Sequence, residues 1–499
     1  MEEMMKKRFV SLMVLLLCVL SLVGAEGTKE QSTQTMQGFG SSERPKYVFM
    51  FIGDGMSHVQ INAAQVFNGN NTKGDIALSP LSFTQFPVLG LQTTYDATSF
   101  CPDSASTATS LSSGIKTHSG VLGMGVDKTT KAENIAEKLK SQKDWKIGIV
   151  STVTLNHATP AAYYAHSPSR NNYYDIGLQL IGSGFDYFAG GSINKATDKG
   201  QASIYDLAKA NGYTFVDTKE AIEALDANSG KVYAQSPRLQ DGGSMPYSID
   251  TDDRDVSLAG FVQKGIDVLD NEKGFFMMVE SGKIDWACHA NDAAAEISDI
   301  LAFDDAVKVA IDFAQKHPNE TLIVVTGDHE TGGMTIGYAS TGYNTAFEIL
   351  KNQKLSYVAF DEIIKGMKSA NANLSFDEVM ELVTKDFGLV APNANATDKA
   401  LVLTEVEYAR LQEAFHQSML PSDKRTKDDV TALLYGGYDP LSVTVTHILN
   451  NKAGIGWTSY SHTGTPISVY AKGVGEQLFS GSYDNTDIFH KLRDIVGVN

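Results

Sequence analysis

Five apolar runs along the chain are continuous rather than alternating: Tyr47–Gly53, Lys146–Thr152, Gly274–Glu280, Thr321–Gly327 and Pro466–Gly473. Unbroken runs of that length predict strands buried on both faces, as in a mostly parallel sheet. Helical periodicity lies between them. Asp292–Lys316 carries Ile297, Ile300, Leu301, Val307, Ile311 and Phe313 at spacings that fall on one side of a helix. This rhythm predicts an α/β fold, a three-layer sandwich with a central mostly parallel sheet flanked by helices. Residues 339–439 break the rhythm with amphipathic segments at Ala359–Ala370, Ser375–Phe387 and Thr404–Met419, joined by Asn- and Ala-rich stretches. They read as an inserted helical subdomain, with the main α/β domain formed by 46–338 and resuming over 440–499. No internal repeat is visible.

The N-terminus departs from both patterns. Lys6, Lys7 and Arg8 precede an apolar run from Phe9 to Val23, and Val23-Gly24-Ala25 is a small-residue cleavage site. The run is about 15 residues, short of the roughly 20 that span a bilayer. Residues 1–25 therefore read as a secretory signal peptide, and 26–45, rich in Ser, Thr, Gln and Gly, as a flexible lead-in. The expected product is periplasmic or secreted, with no membrane attachment after cleavage. Two cysteines remain, Cys101 and Cys288. Export permits a bridge between them, but two buried thiols are the preferred reading.

The 499 residues hold 41 Lys plus Arg against 59 Asp plus Glu, a net charge of −18. So acidic a chain is a poor match for the phosphates of nucleic acid, and no nucleic-acid partner is expected. A small phosphorylated substrate stays open, because bound metal ions reverse the sign of a site locally.

The chemistry gathers at strand ends. Asp54 follows the first run, Glu280 closes the third, and Asp328-His329 follow the fourth. In open α/β sheets ligands bind beyond the carboxyl ends of strands, so these residues share one rim. One such acid is commonly a helix cap. Three together repel each other and call for polyvalent cations. Asp285 and His289, four apart, lie on one face of a helical turn, and His462 can complete a set of two His and one Asp. The run Cys101 to Ser110 is made largely of small residues, with Pro102-Asp103 as a helix start and Ser104 in the first turn. A helix N-terminus favours phosphate, and metal coordination activates a serine hydroxyl. A tightly packed Ser/Ala helix is the plainer reading of that run. The Gly-x-Ser-x-Gly of a nucleophile elbow is absent.

These blocks resemble the alkaline phosphatases: Phe51-Ile52-Gly53-Asp54-Gly55-Met56, Asp103-Ser104-Ala105, Thr159-Pro160-Ala161-Ala162, Glu280 with Asp285 and His289, Thr326-Gly327-Asp328-His329, and His462-Thr463-Gly464. They occur in family order from about Tyr47 onward. The resemblance implies a phosphomonoesterase with two zinc ions and one magnesium ion, a phosphoserine intermediate and, commonly, a homodimer. It assigns Asp285, His289 and His462 to one zinc. Asp54, Asp328 and His329, with Ser104, go to the second. Asp54, Glu280 and Thr159 go to magnesium. Arg170 would clamp two phosphate oxygens, a bidentate task suited to guanidinium, with Asp103 orienting it. Four carboxylates carry −4 and three divalent ions +6, which leaves +2 for a phosphate dianion before Arg170 is counted.

Two features depart from the best-known bacterial pattern. Near the third metal, His157 and Trp286 stand where an Asp and a Lys are usual, which implies a different metal preference or weaker magnesium retention. The gap from His329 to His462 is also longer, and the insertion could cover the mouth, build a dimer surface or do neither. A sulfatase lacks support because Cys101-Pro102-Asp103-Ser104-Ala105 has neither the spacing nor the Arg of that motif. A phosphodiesterase of the same superfamily and a non-catalytic phosphate or metal binder are the competing readings. His118, His166 and Trp457 receive no role.

Overall fold

The computed structural model describes residues 44–371 and 373–499. The signal peptide and all but the last residues of the lead-in lie outside the described residues. Ten strands form the central sheet: β1 (Tyr47–Gly53), β2 (Val88–Thr93), β3 (Lys146–Ser151), β4 (Tyr187–Gly190), β5 (Tyr213–Val216), β6 (Lys231–Gln235), β7 (Phe275–Ser281), β8 (Thr321–Gly327), β9 (Ile467–Gly473) and β10 (Gly481–Asp484). Their spatial order is β10-β2-β9-β8-β1-β7-β3-β4-β6-β5. Only β9 runs antiparallel, to both of its neighbours; the remaining pairs are parallel.

The five continuous apolar runs are strands, with ends shifted by a residue. Pro466 is left out of β9 because proline has no N–H for a ladder. In β1, β7 and β8 every residue is buried, so both faces of the sheet centre are covered. Burying a side chain such as Phe49 or Phe51 contributes roughly 1.5–3 kcal/mol. The five strands that periodicity does not announce lie toward the flanks of the sheet. Strand β2 alternates buried and exposed positions, β10 is a half-exposed edge, and β4, β5 and β6 span only four or five residues.

Three helices position the chemistry: α1 (Ser104–Ser113), α2 (Lys283–His289) and α3 (Ala293–Lys316). Asp292 caps α3 by accepting from the Ala295 amide, so the predicted start at Asp292 is a cap rather than a turn of helix. The region 339–439 carries helices at Tyr357–Ala370, Phe376–Phe387 and Glu405–Met419, capped by Ser356, Ser375 and Thr404. Their buried residues Phe360, Val379 and Leu411 belong to the same hydrophobic core as Phe51 and Val325 of the sheet. No helix among the described residues is long and apolar enough to cross a membrane.

Candidate active site

Parallel register brings the acids together. Gly53 of β1 pairs with Gly327 of β8 and with Ser281 of β7, while Ile52 lies beside Glu280. Asp54 and Asp328 therefore leave the sheet at the same level, with Glu280 two residues below. All three carboxylates are fully buried. Burial and the charges of its neighbours raise Asp54 well above the usual carboxylate range. Burial, with Asp285 adding to it, pushes Asp328 up to about 7, and burial pushes Glu280 up to about 7 as well. Three buried acids this close hold their charges only beside a compensating cation.

The ligand atoms form three groups, each within 4.8 Å: Asp285, His289 and His462; Asp54, Asp328 and His329; and Asp54, His157 and Glu280. In the first group, His289 Nδ1 lies 2.6 Å from the Tyr460 carbonyl and His462 Nδ1 2.5 Å from the Pro102 carbonyl. A carbonyl only accepts, so both Nδ1 atoms carry the proton. The two Nε2 atoms then face each other with lone pairs at 3.1 Å. Asp285 Oδ1, another acceptor, lies 3.4 Å from one and 3.6 Å from the other. Three acceptors that face one another with no proton among them fit a cation, and imidazoles oriented through Nδ1 are the usual form of zinc-binding histidines.

Asp54 Oδ1 and Asp328 Oδ2 of the second group lie 3.3 and 3.4 Å from His329 Nε2. Asp328 is oriented at both oxygens: Oδ1 accepts from the Gly55 amide at 3.2 Å, and Oδ2 also accepts from the Thr107 hydroxyl at 3.0 Å. Burial keeps His329 neutral, well below its ordinary pKa, and lowers His462 too.

Glu280 of the third group accepts from the Ser151 hydroxyl, and its other oxygen is buried without a partner. Thr159 Oγ1 lies 3.3 Å from Asp54 Oδ2. His157 stands inside this group rather than only beside it. Its Nδ1 is buried without a partner, and its Nε2 lies 3.2 Å from Arg170 Nη2. Burial, and next Arg170, push His157 down to about 3, so its imidazole is neutral. The half-buried Trp286 ring packs edge-on at 5.7 Å from the His157 ring.

Ser104 lies against the second group. Asp103 caps α1 by accepting from the Ser106 amide, which makes Ser104 the first helical residue. Its Oγ is 3.1 Å from His329 Nε2 and 3.4 Å from Asp54 Oδ1. The small side chains of α1 are all buried, so the helix sits tightly against its surroundings. Arg170 Nη1 donates to Asp103 Oδ2 at 3.0 Å. Every site residue expected from the sequence is thus gathered at one end of the sheet. Cys101 and Cys288 are both free thiols as expected, but only Cys288 is buried; the expectation of a second buried thiol fails at Cys101, which is exposed.

Some supporting residues escaped the sequence reading. Thr331 donates to Asp285 Oδ1 at 2.5 Å. Glu330, almost wholly buried, accepts from the Gln60 amide at 2.7 Å and from the Thr463 hydroxyl. A two-residue strand pairs His462–Thr463 with Glu330–Thr331 and so delivers His462 to the site. The signal available was proximity in sequence: Thr331 follows His329 by two residues, and its hydroxyl lies 3.3 Å from His329 Nδ1.

A family model described as alkaline phosphatase matches residues 45–184 and 179–498. Alkaline phosphatase 3 of Bacillus subtilis is 31% identical over 492 residues, covering 97% of this chain and 95% of that protein. Among solved structures, a cold-active alkaline phosphatase from the psychrophile Shewanella sp. superposes with a TM-score of 0.74 at 26% identity, covering 90% of this chain and 99% of that one. The TAB5 alkaline phosphatase, in a mutant with Mg bound in the M3 site, superposes at 0.62 with 25% identity, covering 92% and 99%.

Proposed function

The chain belongs to the alkaline phosphatase family and hydrolyses phosphate monoesters, and we propose that it does so through a phosphoserine formed on Ser104. The observation that carries this reading is the place of the Ser104 hydroxyl, at the N-terminus of α1 and against His329 and Asp54. Asp285, His289 and His462 would hold one zinc ion, and Asp54, Asp328 and His329 a second. Asp54, Glu280, Thr159 and His157 would hold magnesium, consistent with the orphaned oxygen of Glu280. Bound there, divalent cations supply positive charge and lower the pKa of hydroxyl and water.

Ser104 Oγ attacks phosphorus as the bond to the ester oxygen breaks, and the alcohol departs with a proton. Water then adds to the same phosphorus and the Ser104 Oγ–P bond breaks, which releases inorganic phosphate and restores the hydroxyl. Arg170, held by Asp103, grips two phosphoryl oxygens through both steps. The amides of the first turn of α1 add their partial positive charge. A bare phosphoryl group occupies this grip fully, which favours monoesters over diesters. We further read the chain as exported, periplasmic or secreted, and as a homodimer.

The test compares a nitrophenyl phosphate monoester with its diester, with and without chelator, beside Ser104→Ala. Monoester turnover that is lost with chelator and falls at least about a thousandfold in Ser104→Ala supports the reading. Preferred diester cleavage, or full activity in Ser104→Ala, overturns it. Dialysed enzyme regains full rate only with added magnesium if His157 weakens that site.

A further inference from the structure

Asp96 has no place among the metal or phosphate ligands, yet it reaches Arg170 by two routes. Its side chain is almost fully buried, 5% exposed, and its carboxylate collects five donors. Oδ1 accepts from the Thr98 amide at 2.6 Å, the Thr98 hydroxyl at 2.7 Å and the Ser99 amide at 2.7 Å. Oδ2 accepts from the hydroxyls of Ser106 at 2.8 Å and Ser119 at 2.5 Å. A carboxylate so engaged has no freedom to rotate.

The first route runs through α1. Ser106 Oγ lies 2.9 Å from Asp103 Oδ1, and the Ser106 amide donates to that same oxygen at 3.0 Å. The other oxygen, Oδ2, receives Arg170 Nη1 at 3.0 Å. A hydroxyl has one proton, so Asp96 and Asp103 compete for that of Ser106. While Asp96 draws it, Asp103 keeps its full charge for the guanidinium. The second route runs through the loop after α1. Ser119, anchored by Asp96, precedes Gly120, whose carbonyl accepts the Arg170 backbone amide at 2.8 Å. One route sets the head of Arg170 and the other its main chain.

We propose that Asp96 is a positioning residue for phosphate binding, acting on Arg170 through Ser106–Asp103 and Ser119–Gly120. The proposal rests on the reading of Arg170 as the phosphate clamp. Phosphate oxygens must meet a guanidinium fixed in two places, and loosening either anchor spreads its orientations before binding.

The test uses the full-length, metal-replete enzyme and inorganic phosphate as a competitive inhibitor. Asp96→Asn, which lets the Ser106 proton turn to Asp103, and Ser119→Ala, which frees the loop that holds the Arg170 main chain, are each expected to raise the inhibition constant for phosphate and KM together by about five- to tenfold, with kcat changed less than about threefold. A merely structural role lowers the melting temperature without that split. In an Arg170→Ala background, adding Asp96→Asn is expected to change phosphate inhibition less than about twofold, because the coupled group is gone. Should Asp96→Asn fail to fold, Ser119→Ala decides. Unchanged phosphate inhibition in folded Ser119→Ala, or a full Asp96→Asn effect without Arg170, overturns the proposal. Phosphate inhibition that Arg170→Ala leaves unaltered overturns the clamp itself, a separate failure.

Discussion

His289 and His462 present their Nε2 atoms to each other at 3.1 Å while both Nδ1 protons are committed to carbonyls. Two lone pairs at that distance repel unless a cation lies between them and Asp285. Chelation is therefore expected to abolish activity and also to lower the melting temperature, and zinc is expected to restore both. Ligand binding at a thousandfold excess over its dissociation constant stabilises by about 4 kcal/mol, well within reach of calorimetry. A melting temperature indifferent to chelator would refute it.

Thr331 fixes the third member of that group. Its hydroxyl is the donor to Asp285 Oδ1 at 2.5 Å. Thr331→Val keeps the shape and removes the donor. Such partners are worth about 10- to 100-fold in metal affinity, so zinc retained against a competing chelator should fall by that factor. Turnover at saturating zinc should recover most of its wild-type value.

Gly55 is required at its position on two grounds. Its φ is +72°, and a Cβ there would stand 2.9 Å from Asp285 Cα and 2.9 Å from Thr331 Oγ1. Gly55→Ala must move α2 or the segment after His329, and a misplacement of about 1 Å costs on the order of 100-fold in rate. Measured kcat/KM should fall by that order while circular dichroism stays native.

His166 offers a pH-dependent test away from the metals. Its two ring nitrogens face acceptors, Glu137 Oε1 at 2.9 Å and the Gly123 carbonyl at 2.7 Å. Burial opposes its charge, but these partners outweigh burial and raise its pKa above the ordinary value. The folded protein thus binds this proton more tightly than the unfolded chain. The stabilisation is complete below the unfolded pKa of about 6.5 and is lost as pH rises through the folded one. The melting-temperature advantage of wild type over His166→Gln should be larger at pH 5.5 than at pH 9.

The metal ligands were legible because chemistry followed directly on buried strands. Asp54, Glu280 and Asp328 each end or follow a run that periodicity marks unmistakably. Ser104 was legible from the small residues around it and the cap at Asp103. What tunes these groups was not. The carbonyls of Pro102 and Tyr460 orient two histidines, and a backbone carbonyl leaves no trace in residue identity. Asp96 finds Ser106 and Ser119 only through a folded loop. The missed strands near the flanks are short or half-exposed, and their apolar content is too small to stand out. His157 was placed beside the third group, and only the shared burial with Glu280 and Asp54 puts its ring within it.

His462 reaches the site on a two-residue strand, and it lies 173 residues beyond the histidine it faces. A chain whose segment beyond residue 450 is not yet docked offers Asp285 and His289 alone, a pair too weak to retain a metal. Capture at this group therefore waits for the segment that carries His462, and it closes a loop of 173 residues from His289. Zinc uptake timed against refolding reads out the docking of this segment, and a fragment that ends before His462 leaves the group one ligand short.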